Sequence, residues 1–529
     1  MGDTARDLSL KLFWWQWLLL CIVLVVLAGS VLRLHFDYSG PYRDPRIGGN
    51  VIIGNHTQYP FPYHADEWIH LAYATFLINE HQITPINPYV QTAKHVNIEQ
   101  GVATYAAVLF TLAGIDPLFS NQYLPAITII LVGLTLFFLV LLITKKFLIA
   151  LITPLFLILI KSDNLLLGFW FFVPVTFGLI FILLAFATYI RGGNARWLTL
   201  LFFIVSLFTY PLASIIIAIG VVIVTLQEIM QNSHYKKMIR THYGKLLFYG
   251  IIGIIVLFVA VIVVFHGQLS KFPLIINYGQ QMGSIATDYN LLNAYGILLL
   301  TLAIIGGYYS FKKNYTYSIL LICLCVALFA QVIIYAIFSF SFMIPVARAF
   351  FYLLVFLMPL SAIGLYACYE WIKGKHHHAS LRGIVAIGVL VLLLGVIFAT
   401  RLPLATPSNP LQTPLQLTNM KDYYALLWVR NHYPKNTMML VDAITVPASY
   451  PVAYVQVPVL PFSAAGAGDA SILRDFYTPS ASCAIRKSVL ERQNPKPLLV
   501  YISMGKISCP FLKEVYNKER YIYEVDYTS

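Results

Sequence analysis

The stretch Tyr59–Tyr89, YPFPYHADEWIHLAYATFLINEHQITPINPY, decides how the chain is read. Two adjacent carboxylates, Asp66 and Glu67, stand a short distance after the first apolar run of the sequence. Charge placed there in a membrane protein calls for an explanation, because it is rare and tends to mark a working site. His64 and His70 flank the pair, and His70 lies one helical turn beyond Asp66, on the same face. Ile69, Ala72, Tyr73, Phe76 and Leu77 recur at helical spacing, which predicts an amphipathic helix lying on the membrane rather than crossing it. Thr84-Pro85 and Asn87-Pro88 end that helix, since proline lacks an N–H and restricts the residue before it.

Composition sets the frame around this stretch. Of 529 residues, 59% are hydrophobic, 15% aromatic and 11% charged, against about a quarter charged in soluble proteins. That is the balance of an integral membrane protein. The formal charge of +13 comes from lysines and arginines in short clusters between apolar runs. Such clusters are cytoplasmic retention signals, so topology explains the charge and nucleic acid is not expected as a partner. No solenoid repeat or low-complexity tract is visible.

Taken in order, residues 14–34 form the first span, entered from the cytoplasm behind Arg6 and Lys11. The rival reading is a secretory signal peptide cut near Ala28-Gly29-Ser30, although the apolar run is longer than an ordinary signal core. Residues 37–122 then form the first external loop, whose apolar helix over 101–114 is too short to cross at 1.5 Å per residue. Spans follow over 121–144, 147–160, 165–190, 197–210, 212–229, 246–265, 291–311, 317–340, 346–372 and 383–400. The expected architecture is a polytopic α-helical membrane protein of about eleven spans. The amino terminus lies inside and the carboxyl terminus outside. Lys145-Lys146, Arg191, Arg196, Lys236-Lys237, Lys312-Lys313 and Lys373 fall on the cytoplasmic side, together with the His376-His377-His378 run, a solvated loop. The short external loops are nearly uncharged.

After Arg401 the composition turns ordinary. The chain therefore divides into a membrane domain, 1–400, which includes the first loop, and an extracytoplasmic α/β domain, 401–529, behind a proline-rich linker. Within the latter, a helix to His432, a strand over 438–441, a helix over 485–490 and a strand over 498–502 alternate. Cys483 and Cys509 are the only cysteines outside the spans and are candidates for one disulfide; two buried thiols are the alternative. Cys21, Cys323, Cys325 and Cys368 fall in apolar spans and read as packing residues.

Two carboxylates at the start of a helix can reach one cavity, where like-charge proximity raises the pKa of one of them. A carboxylate so raised is a competent general base toward a hydroxyl. The plainer alternative is that Asp66 and Glu67 begin a surface helix whose dipole favours acids. Two features weigh for the site. Asp163 is a further acid in the next external loop, and Arg348 opens a span from the outside, against the basic-inside trend. An arginine there can grip a lipid phosphate with two parallel hydrogen bonds, or simply snorkel to the interface.

On these residues the sequence resembles the GT-C membrane glycosyltransferases, which include protein O-mannosyltransferases, the aminoarabinose transferase acting on lipid A, and oligosaccharyltransferase catalytic subunits. The resemblance rests on His64-Ala65-Asp66-Glu67 after the first span, the helix to Asn79, the turn from Pro85 to Pro88, and the helix from about Ile98 to Gly114. It extends to the multi-span body and the carboxyl-terminal external domain. The resemblance implies inverting transfer of a sugar from a polyprenyl-phosphate donor to a hydroxyl or amide of a glycan, lipid or protein acceptor, in a prokaryotic plasma membrane. Asp66 would be the general base and Glu67 its support, while Arg348, and with it Lys94 and His95, would meet the donor phosphate. By their place in the loop, His64, His70 and Tyr89 are candidates to face the acceptor; each of His64, His70 and His95, and Lys94 beside it, has a structural role as its alternative. Members using pyrophosphate-linked donors hold a divalent ion, Mg or Mn, between acids of the first two external loops. Asp163 sits where the second ligand beside Asp66 would be, but no acid-x-acid pattern surrounds it, so the expectation is that no cofactor is required, with Mg or Mn held by Asp163 and Asp66 as the alternative. Asn55-His56-Thr57 is a glycosylation sequon, meaningful only in a host with that machinery.

Two other classes remain. A transporter or flippase of lipid-linked saccharides would carry charge at mid-membrane and paired broken spans. Here charge gathers in external loops, although Pro154, Pro174 and Pro211 do interrupt helices. A catalytically idle GT-C scaffold is the third.

Overall fold

The computed structural model describes residues 12–36, 41–44, 49–52, 62, 65–83, 99–161, 168–231, 291–315, 317–338, 341, 344–375, 379–405, 420–435, 437–441, 459–460, 475–494, 496–502, 505–518 and 520–528. They form two compact units. One gathers described residues of Met1–Val31, Ala126–Trp170 and Val175–Pro407; the other gathers those of Leu32–Pro125, Phe171–Pro174 and Ser408–Ser529. The first external loop, read from sequence with the membrane region, thus groups with the carboxyl-terminal residues.

The first unit is helical. Its helices are α1 (Trp14–Phe36, whose last turn passes into the second unit), α4 (Tyr123–Thr144), α5 (Phe147–Leu155), α6 (Pro174–Arg191), α7 (Arg196–Thr209), α8 (Pro211–Gln231), α9 (Leu291–Tyr295), α10 (Ile297–Lys312), α11 (Ser318–Phe338), α12 (Val346–Lys375) and α13 (Ala379–Ala405). Among the described residues, seven helices are long and apolar enough to cross a membrane: α1, α4, α6, α8, α11, α12 and α13. This is an integral membrane protein. Three other expected spans are shorter apolar helices, over Phe147–Leu159, Gly193–Thr209 and Ile297–Lys312. The expected span 246–265 lies outside the described residues, as does the histidine run 376–378.

Several boundaries differ from the sequence reading for identifiable reasons. The span expected over 165–190 begins only at Pro174, and residues 168–173 are not helical. Proline suits the first helical position and forces the residue before it out of the helical region. Pro154 sits near the end of α5, which passes into a 3₁₀ turn over Phe156–Leu159. The segment expected as one span over 291–311 is broken at Gly296, whose φ of +89° is open to glycine. Arg401, taken as the start of the linker, lies inside α13, and its guanidinium is buried against the break. Nη1 donates to the Asn293 carbonyl at 3.1 Å and Nη2 to that of Ala294. A cation here satisfies carbonyls that a five-residue helix leaves orphaned at its end.

α12 is the centre of this unit, with its membrane-length window wholly buried. Tyr295 shares a hydrogen bond with Ser361 of α12 at 2.7 Å, and Ser361 donates to the Leu299 carbonyl of α10 at 2.8 Å. Arg196, opening α7, forks onto Glu228 of α8 through two contacts of 2.5 and 2.7 Å, a geometry in which both carboxylate oxygens are used.

The second unit contains a two-stranded antiparallel hairpin, β1 (Pro41–Asp44) with β2 (Gly49–Ile52), and the helices α2 (Ala65–Glu80) and α3 (Gln100–Ala113). Its carboxyl-terminal part is α/β: α14 (Met420–His432), β3 (Met439–Val441), β4 (Val459–Leu460), α15 (Cys483–Glu491), β5 (Leu499–Ile502), β6 (Leu512–Tyr516) and β7 (Tyr521–Val525). The sheet order is β4-β3-β5-β7-β6, parallel among the first three strands and antiparallel at the other end. β5, LVYI, is buried at every position, which is why it reads as an unbroken apolar run rather than an alternating one. Ser482 caps α15 by accepting from the Ile485 N–H.

Cys483, at the start of α15, and Cys509 are joined in a disulfide across 26 residues of chain. Closing a loop of that length stabilises the folded form by about 3 kcal/mol through the unfolded state. Cys483→Ser with Cys509→Ser, or reductant added to the natural protein, is therefore expected to lower the denaturation midpoint of this unit. An unchanged urea midpoint with the bond verifiably reduced would show that the staple contributes nothing.

Candidate functional site

The acidic pair opens α2, in its first turn. Adjacent helical residues point about 100° apart, and the two carboxylates differ in burial. Glu67 is 2% exposed and its Oε1 accepts the Phe172 backbone N–H at 2.9 Å. Phe172 belongs to the segment Phe171–Pro174 of the same unit, so this bond joins two parts of that unit across 105 residues of sequence. Tyr105 of α3 stacks on the Phe172 ring with centroids 6.3 Å apart. Burial pushes its phenol up to about 12, so it stays neutral at physiological pH. Asp66, by contrast, is half-buried and keeps contact with solvent. One Glu67 oxygen is thus engaged by a backbone amide within the fold.

The expectation of an amphipathic surface helix is corrected. Trp68, Leu71, Ala72, Tyr73, Ala74, Thr75 and Phe76 are all buried, so α2 is covered around most of its circumference. Such a helix is part of a core. α3 packs along it, and between the two lies a shallow cleft lined in part by Tyr73, Phe76, Gln82, Gln100 and Thr104. Asp66, His70, Tyr73 and Leu77 follow one stripe of α2 at helical spacing, and its far end reaches this cleft.

His70 is 4% exposed, with Nε2 3.7 Å from Oε2 of Glu99, the residue that precedes α3. That places the ring in a packed contact between helices. Arg348 belongs to the first unit, half-buried in the first turn of α12. His64, Tyr89, Lys94, His95 and Asp163 lie outside the described residues. Among the described residues no group of three or more His, Cys, Asp or Glu side chains is arranged to hold a metal ion. The sequence reading missed Glu99 and the Phe172 amide. Glu99 carried a signal, being an acid directly before an apolar helix; a backbone amide carries none.

No protein-family model matches the sequence, and no curated protein matches it. Solved structures do. The oligosaccharyltransferase AglB from Archaeoglobus fulgidus, in complex with an inhibitory peptide and a dolichol-phosphate, aligns over 92% of this chain and 70% of its own, with a TM-score of 0.53 at 13% identity. The chain shares its fold with this enzyme. The same archaeal enzyme, tethered to an acceptor peptide containing the NVT sequon via a disulfide bond, gives a TM-score of 0.55 over 92% of this chain and 69% of its own, again at 13% identity. ArnT from Cupriavidus metallidurans bound to undecaprenyl phosphate covers 96% of this chain and 97% of its own at 11% identity and a TM-score of 0.49. At 13% identity the archaeal structures speak to the fold alone, and the roles of individual residues rest on the geometry above.

Proposed function

We propose that the chain is an inverting glycosyltransferase that moves a sugar from a polyprenyl-phosphate donor to an acceptor hydroxyl or amide on the extracytoplasmic face of the membrane. The observation that carries this reading is the division of labour within the acidic pair. A buried Glu67 fixes the first turn of α2 to the Phe172 amide, and the neighbouring Asp66 is left half-exposed on that anchored turn. A carboxylate held in place and reached by solvent is what a general base requires. The GT-C fold adds to it, since the archaeal structure with this fold holds a dolichol-phosphate and a peptide.

In the proposed reaction, Asp66 takes the proton of the acceptor as the acceptor atom forms a bond to the anomeric carbon. The bond from that carbon to the phosphate oxygen breaks at the same time, and its electron pair leaves on the polyprenyl phosphate. Attack from the side opposite the leaving group inverts the anomeric centre. Arg348 is assigned to the phosphate, where a guanidinium meets the developing charge with a two-pronged contact. No step is routed through a metal ion.

Incubating the purified full-length protein with labelled polyprenyl-phosphate hexoses tests the proposal. Consumption of the sugar donor with release of polyprenyl phosphate is the expected result. Movement of intact lipid-linked sugar across proteoliposomes, without cleavage, would make the protein a transporter instead.

A further inference from the structure

The helix α11, SILLICLCVALFAQVIIYAIF, carries one primary amide, Gln331, in an otherwise apolar run with a mean hydropathy of 2.8. Burying an amide in such a helix is costly unless its hydrogen-bonding groups are used. Gln331 uses them on the turn that leads into α12. Its Nε2 donates to Ser341 Oγ at 2.9 Å and to the Ile344 carbonyl at 3.1 Å. The Ser341 hydroxyl also donates to the Ile344 carbonyl, so that oxygen receives two bonds. Ser341 is wholly buried and Ile344 nearly so.

The location of the Ile344 carbonyl explains the arrangement. The first carbonyl taken up by α12 is that of Pro345, which accepts the N–H groups of Arg348 at 2.9 Å and Ala349 at 3.0 Å. Ile344 stands one residue earlier, and among the described residues its oxygen is met by these two side chains while the Arg348 N–H goes to Pro345. Once Gln331 and Ser341 hold Ile344, the direction in which α12 starts is fixed. Arg348, four residues on, sits in that first turn.

We propose that Gln331, acting through Ser341 and the Ile344 carbonyl, is a positioning residue for Arg348, and that the clamp sets how the guanidinium meets the phosphate of an isoprenoid-linked donor. The inference rests on the role assigned to Arg348 under the proposed function. A bidentate contact is more sensitive to orientation than a point charge, so a loosened helix start weakens donor binding without touching the acceptor side.

The test is a double-mutant cycle on the full-length protein, reading kcat and donor KM together with thermal stability. Gln331→Met keeps the length of the side chain and removes both donors. It is expected to raise donor KM about tenfold, the loss of roughly one well-placed hydrogen bond, with kcat within about twofold. Ser341→Ala reaches the same clamp from the other side and is expected to do the same. It serves as the readout should Gln331→Met fold poorly. In an Arg348→Ala background, either change is expected to add less than about twofold, because the residue it positions is gone. A full further tenfold there, or a fall in kcat with KM unmoved, overturns the positioning role and leaves Arg348 in place. If Arg348→Ala alone leaves donor KM unchanged, it is the assignment of Arg348 that fails.

Discussion

Asp66→Asn is expected to lower turnover of a polyprenyl-phosphate sugar donor by about 10²- to 10⁴-fold, the range over which a positioned general base acts. The change keeps the size of the side chain and removes its charge together with its capacity to take a proton. Stability should fall by no more than about 2 kcal/mol, the upper worth of a partly buried acid beside a helix amino terminus. Glu67 provides the contrast within the same turn. Glu67→Ala removes the acceptor of a buried backbone N–H, which costs about 1–3 kcal/mol of stability. Activity and melting temperature should therefore separate the pair: Asp66→Asn is inactive and folded, Glu67→Ala is destabilised. A fully active Asp66→Asn would remove the glycosyl-transfer reading.

Gly364→Leu is the second change expected to have a large effect, this time on folding. A Cβ at Gly364 would run into the Leu302 carbonyl, and one at Gly306 into the Leu360 carbonyl. The backbones of α10 and α12 therefore approach across a pair of glycines, the means by which helices associate closely where no water drives them together. The Tyr295–Ser361 and Ser361–Leu299 hydrogen bonds join the same helices nearby. Any side chain at these glycines must push backbone from backbone, at the upper end of or beyond the roughly 1–3 kcal/mol typical of overpacking. Gly307→Leu is the control, since a Cβ there meets nothing within 4 Å. Detergent-purified protein should show a lowered melting temperature and poor monodispersity for Gly364→Leu and near-natural behaviour for Gly307→Leu. Equal melting temperatures for the two would show that the close approach is not needed.

What could be read in advance followed from local chemistry. α4 ends at Thr144 before Lys145-Lys146, and α10 ends at Lys312 within the Lys312-Lys313 pair. There apolar length and basic flanks act on the same few residues. The break at Pro211 and the carboxyl-terminal helix ending at His432 were legible for the same reason. The acidic pair was visible because charge so close to an apolar run is costly. What escaped depends on partners far along the chain. The periodicity of α2 suggested one wet face, yet α3 and its other neighbours cover it, and no pattern within residues 65–80 announces them. Glu67 finds its donor 105 positions away on a backbone amide. Arg401 read as the boundary of a linker, whereas it closes a helix more than a hundred residues earlier in the chain.

Lys435 Nζ lies 2.8 Å from Glu80 Oε1, and the ring of Tyr423 meets that of Phe119 at 6.3 Å. These contacts join the helix bearing the acidic pair, and the segment after α3, to residues made much later. During synthesis Glu80 precedes Lys435 by 355 residues, roughly 20–70 s at ordinary rates of translation. The helix bearing the acidic pair thus waits for residues of the carboxyl-terminal part before these contacts can form. A message truncated before codon 420 would leave α2 without them, whatever the state of the spans between.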